Sequence, residues 1–199
     1  MKILVAIPTF ENIAPQTFKS IYDLYSGGHD ISFEYITGYD CAKARNMIGR
    51  KTVEDHYDAV LTVDSDMEIP NDALISLISA DVPVAMGWYL RRIKGGPSDG
   101  RTSLHMENFS KAMLVDEVVA HDEPFKVLGG GFGCVLVKRD VFMQVKYPWF
   151  VYENLNNGSF KSEDFVFCSA CHNNGIDIVA VPSVRCGHVM KYVQYPEVK

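Results

Sequence analysis

The stretch Asp58-Ala59-Val60-Leu61-Thr62-Val63-Asp64-Ser65-Asp66-Met67 joins a short apolar run to two carboxylates one residue apart. A run without polar alternation is the pattern of a strand buried on both faces, as at the centre of a parallel sheet. Asp64 and Asp66 then emerge at its carboxyl end, where open α/β sheets bind their ligands. A D-x-D triplet is common in surface turns. Its place at a strand end, more than its spacing, marks this one as functional.

The pattern repeats on both sides. Upstream, residues 2–7 read as a strand stopping at Pro8-Thr9, and Pro15 opens a helix with Phe18, Ile21, Tyr22 and Tyr25 at helical spacing, ended by Gly27-Gly28. A second strand follows at 32–37, and Asp40 caps a helix presenting Ala44, Met47 and Ile48 on one face. Downstream, Asn71-Asp72 starts a helix through Leu74, Ile75, Leu77 and Ile78, and a strand spans 83–86. Residues 91–101, basic and Gly-rich, read as a surface loop. Strands at 126–128 and 133–137, a short helix after Arg139, a helix over 163–173 stopped by Gly175 and a strand at 176–181 complete the order. Alternating strands and helices predict an α/β fold over 1–199 as one domain, with a mostly parallel central sheet and helices on both faces.

Composition narrows the function. A formal charge of -6 and no Lys/Arg cluster argue against duplex nucleic acid as a partner, which demands many cationic phosphate contacts. The start, Met1 to Pro8, is too short for a signal peptide, and no apolar run has the length of a membrane span. Five cysteines, an odd number, suit reduced thiols in a cytoplasmic, soluble protein. Cys168 and Cys171 form a C-x-x-C inside a helical segment with no second pair, the reading of buried structural thiols.

Hard divalent cations such as Mn²⁺ or Mg²⁺ take carboxylate oxygens together with the diphosphate of a nucleotide, so one or two protein carboxylates suffice. Asp64 and Asp66 meet that need. The pattern resembles the GT-A glycosyltransferases, whose first strand ends in a nucleotide-contacting loop and whose central strand ends in D-x-D. Pro8-Thr9-Phe10 and Asp64-Ser65-Asp66 match those features, followed by Ala44-Arg45-Asn46, Gly129-Gly130-Gly131-Phe132-Gly133, Ser162-Glu163-Asp164 and Cys186-Gly187-His188. In length and motif order the chain is similar to compact virus-encoded members acting on capsid glycans, and to bacterial family-2-like enzymes.

The resemblance implies transfer of a hexose from a nucleotide diphosphate sugar, UDP-hexose by family likeness, to a hydroxyl on a glycan or glycoprotein acceptor, with inversion. It implies Pro8, Thr9, Phe10, Asp40, Arg45, Ser65 and Arg92 as nucleotide contacts, together with Asp64 and Asp66. Asp66 binds the metal, Asp64 reaches ribose or metal, and His188 completes the coordination. The Glu163-Asp164 pair supplies the general base, Asp164 ahead of Glu163, although capping by Ser162 with acids in a first helical turn explains the same residues. Arg91, Arg92 and Lys94 sit on a loop able to close over a diphosphate. The glycine run lacks the spacing of a dinucleotide or P-loop motif, and close backbone approach to a sugar is its economical reading. Trp88, Trp149 and Tyr152 can stack on a sugar or pack in the core. Two other readings stay open: a sugar nucleotidyltransferase, although Pro8-Thr9-Phe10-Glu11-Asn12 is no Gly-rich activating loop, and a non-catalytic nucleotide-sugar binding domain.

Overall fold

The computed structural model describes residues 1–92, 99–155 and 158–190. The first half alternates β1 (Lys2–Thr9), α1 (Pro15–Tyr22), β2 (Asp30–Thr37), α2 (Cys41–Glu54), β3 (Ala59–Val63), β4 (Met67–Glu68), α3 (Ala73–Ser79) and β5 (Val84–Trp88). A less regular stretch follows, with β6 (Arg101–His105), β7 (Ala112–Leu114), α4 (Val115–Val119), β8 (Phe125–Lys126) and β9 (Gly129–Gly130). The chain closes with β10 (Cys134–Lys138), α5 (Arg139–Gln144), β11 (Glu153–Asn154), β12 (Phe160–Lys161), α6 (Glu163–Asn173), β13 (Ile178–Arg185) and β14 (Gly187–His188).

The large sheet has the order β2-β1-β3-β10-β5-β13-β8. β2, β1 and β3 are parallel, β10 runs against both β3 and β5, and β8 runs against β13. Five of the seven strands therefore share one direction, and the sheet is mixed. An apolar run such as Cys134–Lys138 reads the same in either direction, so only tertiary contacts set its polarity. β1 extends to Thr9, past the expected stop. Its pairing with β3 ends at Ala6, so at Pro8 the strand is one-sided and tolerates a residue without an N–H.

Alternate residues of each strand feed two cores. Leu4 and Ala6 point with Ile48, Phe132, Phe142, Phe150 and Phe167 to one face, while Ile3 and Val5 join Leu61, Leu74 and Leu77 on the other. Two helix faces differ from the periodicity expected. α1 ends at Tyr22, before the glycines, because the Tyr25 amide donates to the Asn71 carbonyl (2.8 Å), and its inward residues are Thr17 and Ser20, with Phe18 and Tyr22 exposed. In α2, Ala44 and Ile48 are buried but Met47 is exposed, and its neighbour Asn46 faces inward instead. The small sheet β7-β6-β9 is invisible to hydropathy because Thr102, Ser103 and His105 are buried polar residues, Thr102 donating from Oγ1 to the Met113 carbonyl (3.0 Å).

Asn46 fixes how α2 meets the segment before β11. Its amide donates to the carbonyls of Ala42 (2.8 Å) and Phe150 (2.6 Å), and its oxygen accepts from the amides of Trp149 (2.9 Å) and Phe150 (3.2 Å). Asn46→Ala leaves buried backbone groups at 149–150 unpaired. It is expected to cost about 2–4 kcal/mol in urea unfolding, while Met47→Ala on the exposed neighbour is expected to change stability by less than about 1 kcal/mol.

Candidate active site

The triplet lies where β3 leaves the sheet, and three backbone bonds and one from a side chain shape its turn. The Asp64 amide donates to the Gly133 carbonyl (3.1 Å) and the Met67 amide to the Asp64 carbonyl (3.1 Å). The Ser65 carbonyl accepts from the Ala14 amide (2.8 Å) and from Thr17 Oγ1 (3.1 Å), so the start of α1 clamps the turn. Beyond it, β14 pairs antiparallel with β4, placing His188 opposite Met67, and the Val189 amide donates to the Asp66 carbonyl (2.8 Å).

Arg45 is the hub of the site. Its side chain, on the second turn of α2, is only 3% exposed. One terminal nitrogen donates to Glu163 Oε1 and Asp164 Oδ1, the other to Asp64 Oδ1 (2.8 Å), and the guanidinium lies over the Phe132 ring at 5.4 Å. Burial works against its charge, but Asp164, Asp64 and Glu163 outweigh that and keep it ionised. Three carboxylates around one cation leave excess negative charge. Asp164 is raised to about 7: burial lifts it most, Glu163 and Asp64 add to that, and Arg45 and the Phe132 amide (3.3 Å) pull it down. Arg45, expected as a phosphate contact, is buried, with both terminal nitrogens bonded to the chain's own acids.

Asp66 and His188 form a second pair, with Nε2 and Oδ2 3.7 Å apart. His188 Nδ1 lies 3.0 Å from the Leu90 carbonyl, which can only accept, so this nitrogen carries the ring proton and Nε2 faces the carboxylate. The Tyr89 ring packs edge-on against the imidazole at 5.2 Å. The neighbouring Asp66 carboxylate raises the His188 pKa against burial. Burial alone would raise Asp66, but His188 and Arg92 bring it below its ordinary value. Arg92, on the exposed rim, donates to Asp66.

A carboxylate and an imidazole nitrogen held together fit a divalent cation of the Mn²⁺ type. Among the described residues no group of three His, Cys, Asp or Glu is arranged to hold a metal, so a ligand would have to supply the remaining donors. Asp64 does not join this pair; its Oδ1 is bonded to Arg45.

The other expected positions are spread around this centre. Pro8 and Thr9 are buried at the end of β1, Thr9 Oγ1 donating to the Asn12 carbonyl (2.8 Å). Phe10 is exposed, its carbonyl accepting from Thr37 Oγ1 and the Gly38 amide (both 3.2 Å). Asp40 caps α2 through the Lys43 amide (3.1 Å). Ser162 occupies the N-cap of α6 but makes no side-chain cap bond, while Glu163 is buried on Arg45. Arg91 pairs with Asp99, and Lys94 lies outside the described residues.

The glycine run answers to internal packing. A Cβ on Gly133 would come within 2.5 Å of the Tyr89 ring, one on Gly129 within 2.6 Å of Cys168 Sγ, and Gly131 is filled by the Tyr89 hydroxyl. Trp88 and Trp149 are buried in the core, and Cys168 and Cys171 are buried free thiols. Tyr89, the Leu90 carbonyl and the Phe132 amide escaped sequence reading; backbone groups leave no mark in a sequence, although glycines at 131 and 133 hint at a ring pressed against them.

This mixed sheet with helices on both faces has a GT-A-like fold. Among solved structures, A197 from STIV superposes with a TM-score of 0.66 at 20% identity, covering 96% of this chain and 87% of that one. GalNAc-T7, crystallised with UDP, GalNAc and Mn²⁺, superposes with a TM-score of 0.61 at 15% identity, covering 96% of this chain and 44% of that one. No protein-family model and no curated protein sequence matches the chain. No described helix is long and apolar enough to cross a membrane.

Replacing the hub tests its electrostatic role. Arg45→Met leaves three acids facing one another and is expected to cost about 3–5 kcal/mol at neutral pH. Asp164 already has a raised pKa of about 7. An acid with a raised folded-state pKa contributes stability that is intact below its unfolded value and lost as pH rises through the folded one. The deficit is therefore largest above about pH 7 and shrinks towards about pH 4, as urea unfolding across that range will show.

Proposed function

We propose that the chain is a metal-dependent, inverting glycosyltransferase, one domain over 1–199, that transfers a hexose from UDP-hexose to a hydroxyl of a glycan or glycoprotein. The reading rests on one observation: a raised-pKa carboxylate, Asp164, shares a buried cation with Asp64, two residues from the Asp66–His188 pair. A proton acceptor and a cation-binding pair thus border the same strand end. The GT-A-like fold supports the class, and the UDP, GalNAc and Mn²⁺ of the GalNAc-T7 structure support the choice of donor and metal.

In this reading Asp66 and His188 hold Mn²⁺ or Mg²⁺. When bound, the cation neutralises charge developing on the departing nucleoside diphosphate. Arg92 adds positive charge at the exposed rim, where a diphosphate can take over its contact with Asp66. Pro8, Thr9, Phe10, Asp40 and Ser65 surround the nucleoside at the ends of β1, β2 and β3. Asp164 takes the proton of the acceptor hydroxyl as its oxygen attacks the anomeric carbon opposite the leaving group; Arg45 and the Phe132 amide fix the carboxylate for that role. Glu163, buried against Arg45, keeps the guanidinium in place.

Binding, turnover, pH dependence and product stereochemistry check this. Titration calorimetry of UDP with and without Mn²⁺ is expected to show metal-enhanced binding that Asp66→Ala removes and His188→Ala weakens; wild-type affinity indifferent to Mn²⁺ and to chelator would refute the metal role. Asp164→Asn is expected to depress transfer by about 10²-fold with UDP affinity little changed. The wild-type rate should climb with pH through a midpoint near 7 as Asp164 loses its proton. An NMR product retaining the donor's anomeric configuration would remove the case for an inverting base.

A further inference from the structure

Beside the Arg45 cluster lies a cleft of about 630 Å³ that shares Asp40, and no other residue, with the nucleoside contacts proposed above. One wall is the outer side of α2 and the residues before it, with Tyr39, Asp40, Lys43 and Arg50; the other carries Tyr147 and Tyr152. Its floor is Phe150, whose backbone Asn46 holds on both sides, so the cleft is built on rigid elements. The three tyrosines keep large exposed surfaces: 37% for Tyr39, 52% for Tyr147 and 49% for Tyr152. Exposed rings gathered around a concavity mark a binding surface.

The lining alternates two chemistries. Aromatic faces stand next to Asp40, Lys43 and Arg50, and Lys43 Nζ sits 4.0 Å over the Tyr39 ring. A pyranose presents the matching pair, an apolar C–H face that stacks on rings and a rim of hydroxyls that bonds to charged and polar groups. Tyr152 connects the cleft to the candidate active site. Burial first, then the nearby Glu163, Cys41 and Asp40, push its phenol up to about 12, so it stays protonated and able to donate to a sugar oxygen. Phe160 packs edge-on against it at 6.2 Å, four residues before Asp164 in the chain.

We propose that this cleft binds the acceptor as an oligosaccharide, its pyranose rings stacked on Tyr39, Tyr147 and Tyr152 and its terminal hydroxyl directed towards Asp164. That the occupant is an acceptor rests on the glycosyl-transfer reading; that it is a glycan rests on the lining.

The test uses the full chain with maltohexaose, cellohexaose and chitohexaose as probes, followed by saturation-transfer NMR and calorimetry, with UDP and Mn²⁺ titrated separately. At least one glycan is expected to bind the wild type. Tyr39→Ala and Tyr152→Ala should each weaken it by about tenfold, as for an aromatic anchor, with Tyr152→Phe much less affected and UDP affinity within about twofold of wild type. Both tyrosines are partly exposed, and melting temperatures of the variants check that the fold persists. Three results overturn the inference: no glycan binding the wild type, glycan binding unmoved by either alanine variant, or loss of UDP binding in those variants, which gives the cleft to the nucleoside. Glycan binding at the cleft without any UDP binding would retire the transferase reading and leave the sugar site standing.

Discussion

A buried guanidinium shared by three carboxylates organises this molecule. Arg45 draws Asp64 from the end of β3, and Glu163 and Asp164 from the start of α6, onto one point. Glu163 and Asp164 lie 118 and 119 residues from Arg45 in sequence, and the sheet alone does not bring α6 to the triplet. Burying so much charge is costly unless each member is paired, which ties the register of α2, α6 and β3 to one another. The same crowding shifts a proton affinity. One cation cannot satisfy three anions, and the remaining repulsion, added to burial, sets Asp164 near neutrality.

The second constraint is delivery of the chain's end. β14 crosses back to pair with β4, so the residue directly after the triplet becomes the docking strand for His188. The imidazole is then locked from behind by the Leu90 carbonyl and from the side by Tyr89. The glycines at 131 and 133 belong to the same device, since only a bare backbone leaves room for the Tyr89 ring. Imidazole, aromatic wall and glycine run thus form one packed unit.

Much of the fold was legible. β3 showed as an unbroken apolar run, Asp40 capped its helix as its side chain allows, and the helix at 163–173 matched α6 at both ends. These are local properties, set by burial on both faces, by a cap oxygen and by a glycine at φ +70. The Asp66–His188 proximity was an expectation of the family resemblance alone; nothing in the local sequence points to it. The reading failed where side chains defied their class: Thr17, Ser20 and Asn46 are buried because they bond to backbone, while Phe18, Tyr22 and Met47 face solvent.

By itself, then, the sequence determined the alternation of strands and helices and the exit of two acids from a central strand, because hydrophobic periodicity and turn chemistry act over a few residues. Tertiary structure alone decided the antiparallel insertion of β10, the withdrawal of Arg45 from solvent and the separation of Asp64 from Asp66 into different partnerships. The reason is physical. Adjacent carboxylates are chemically equivalent until a fold surrounds them, and it is the buried cation on one side and the imidazole on the other that give each its own work.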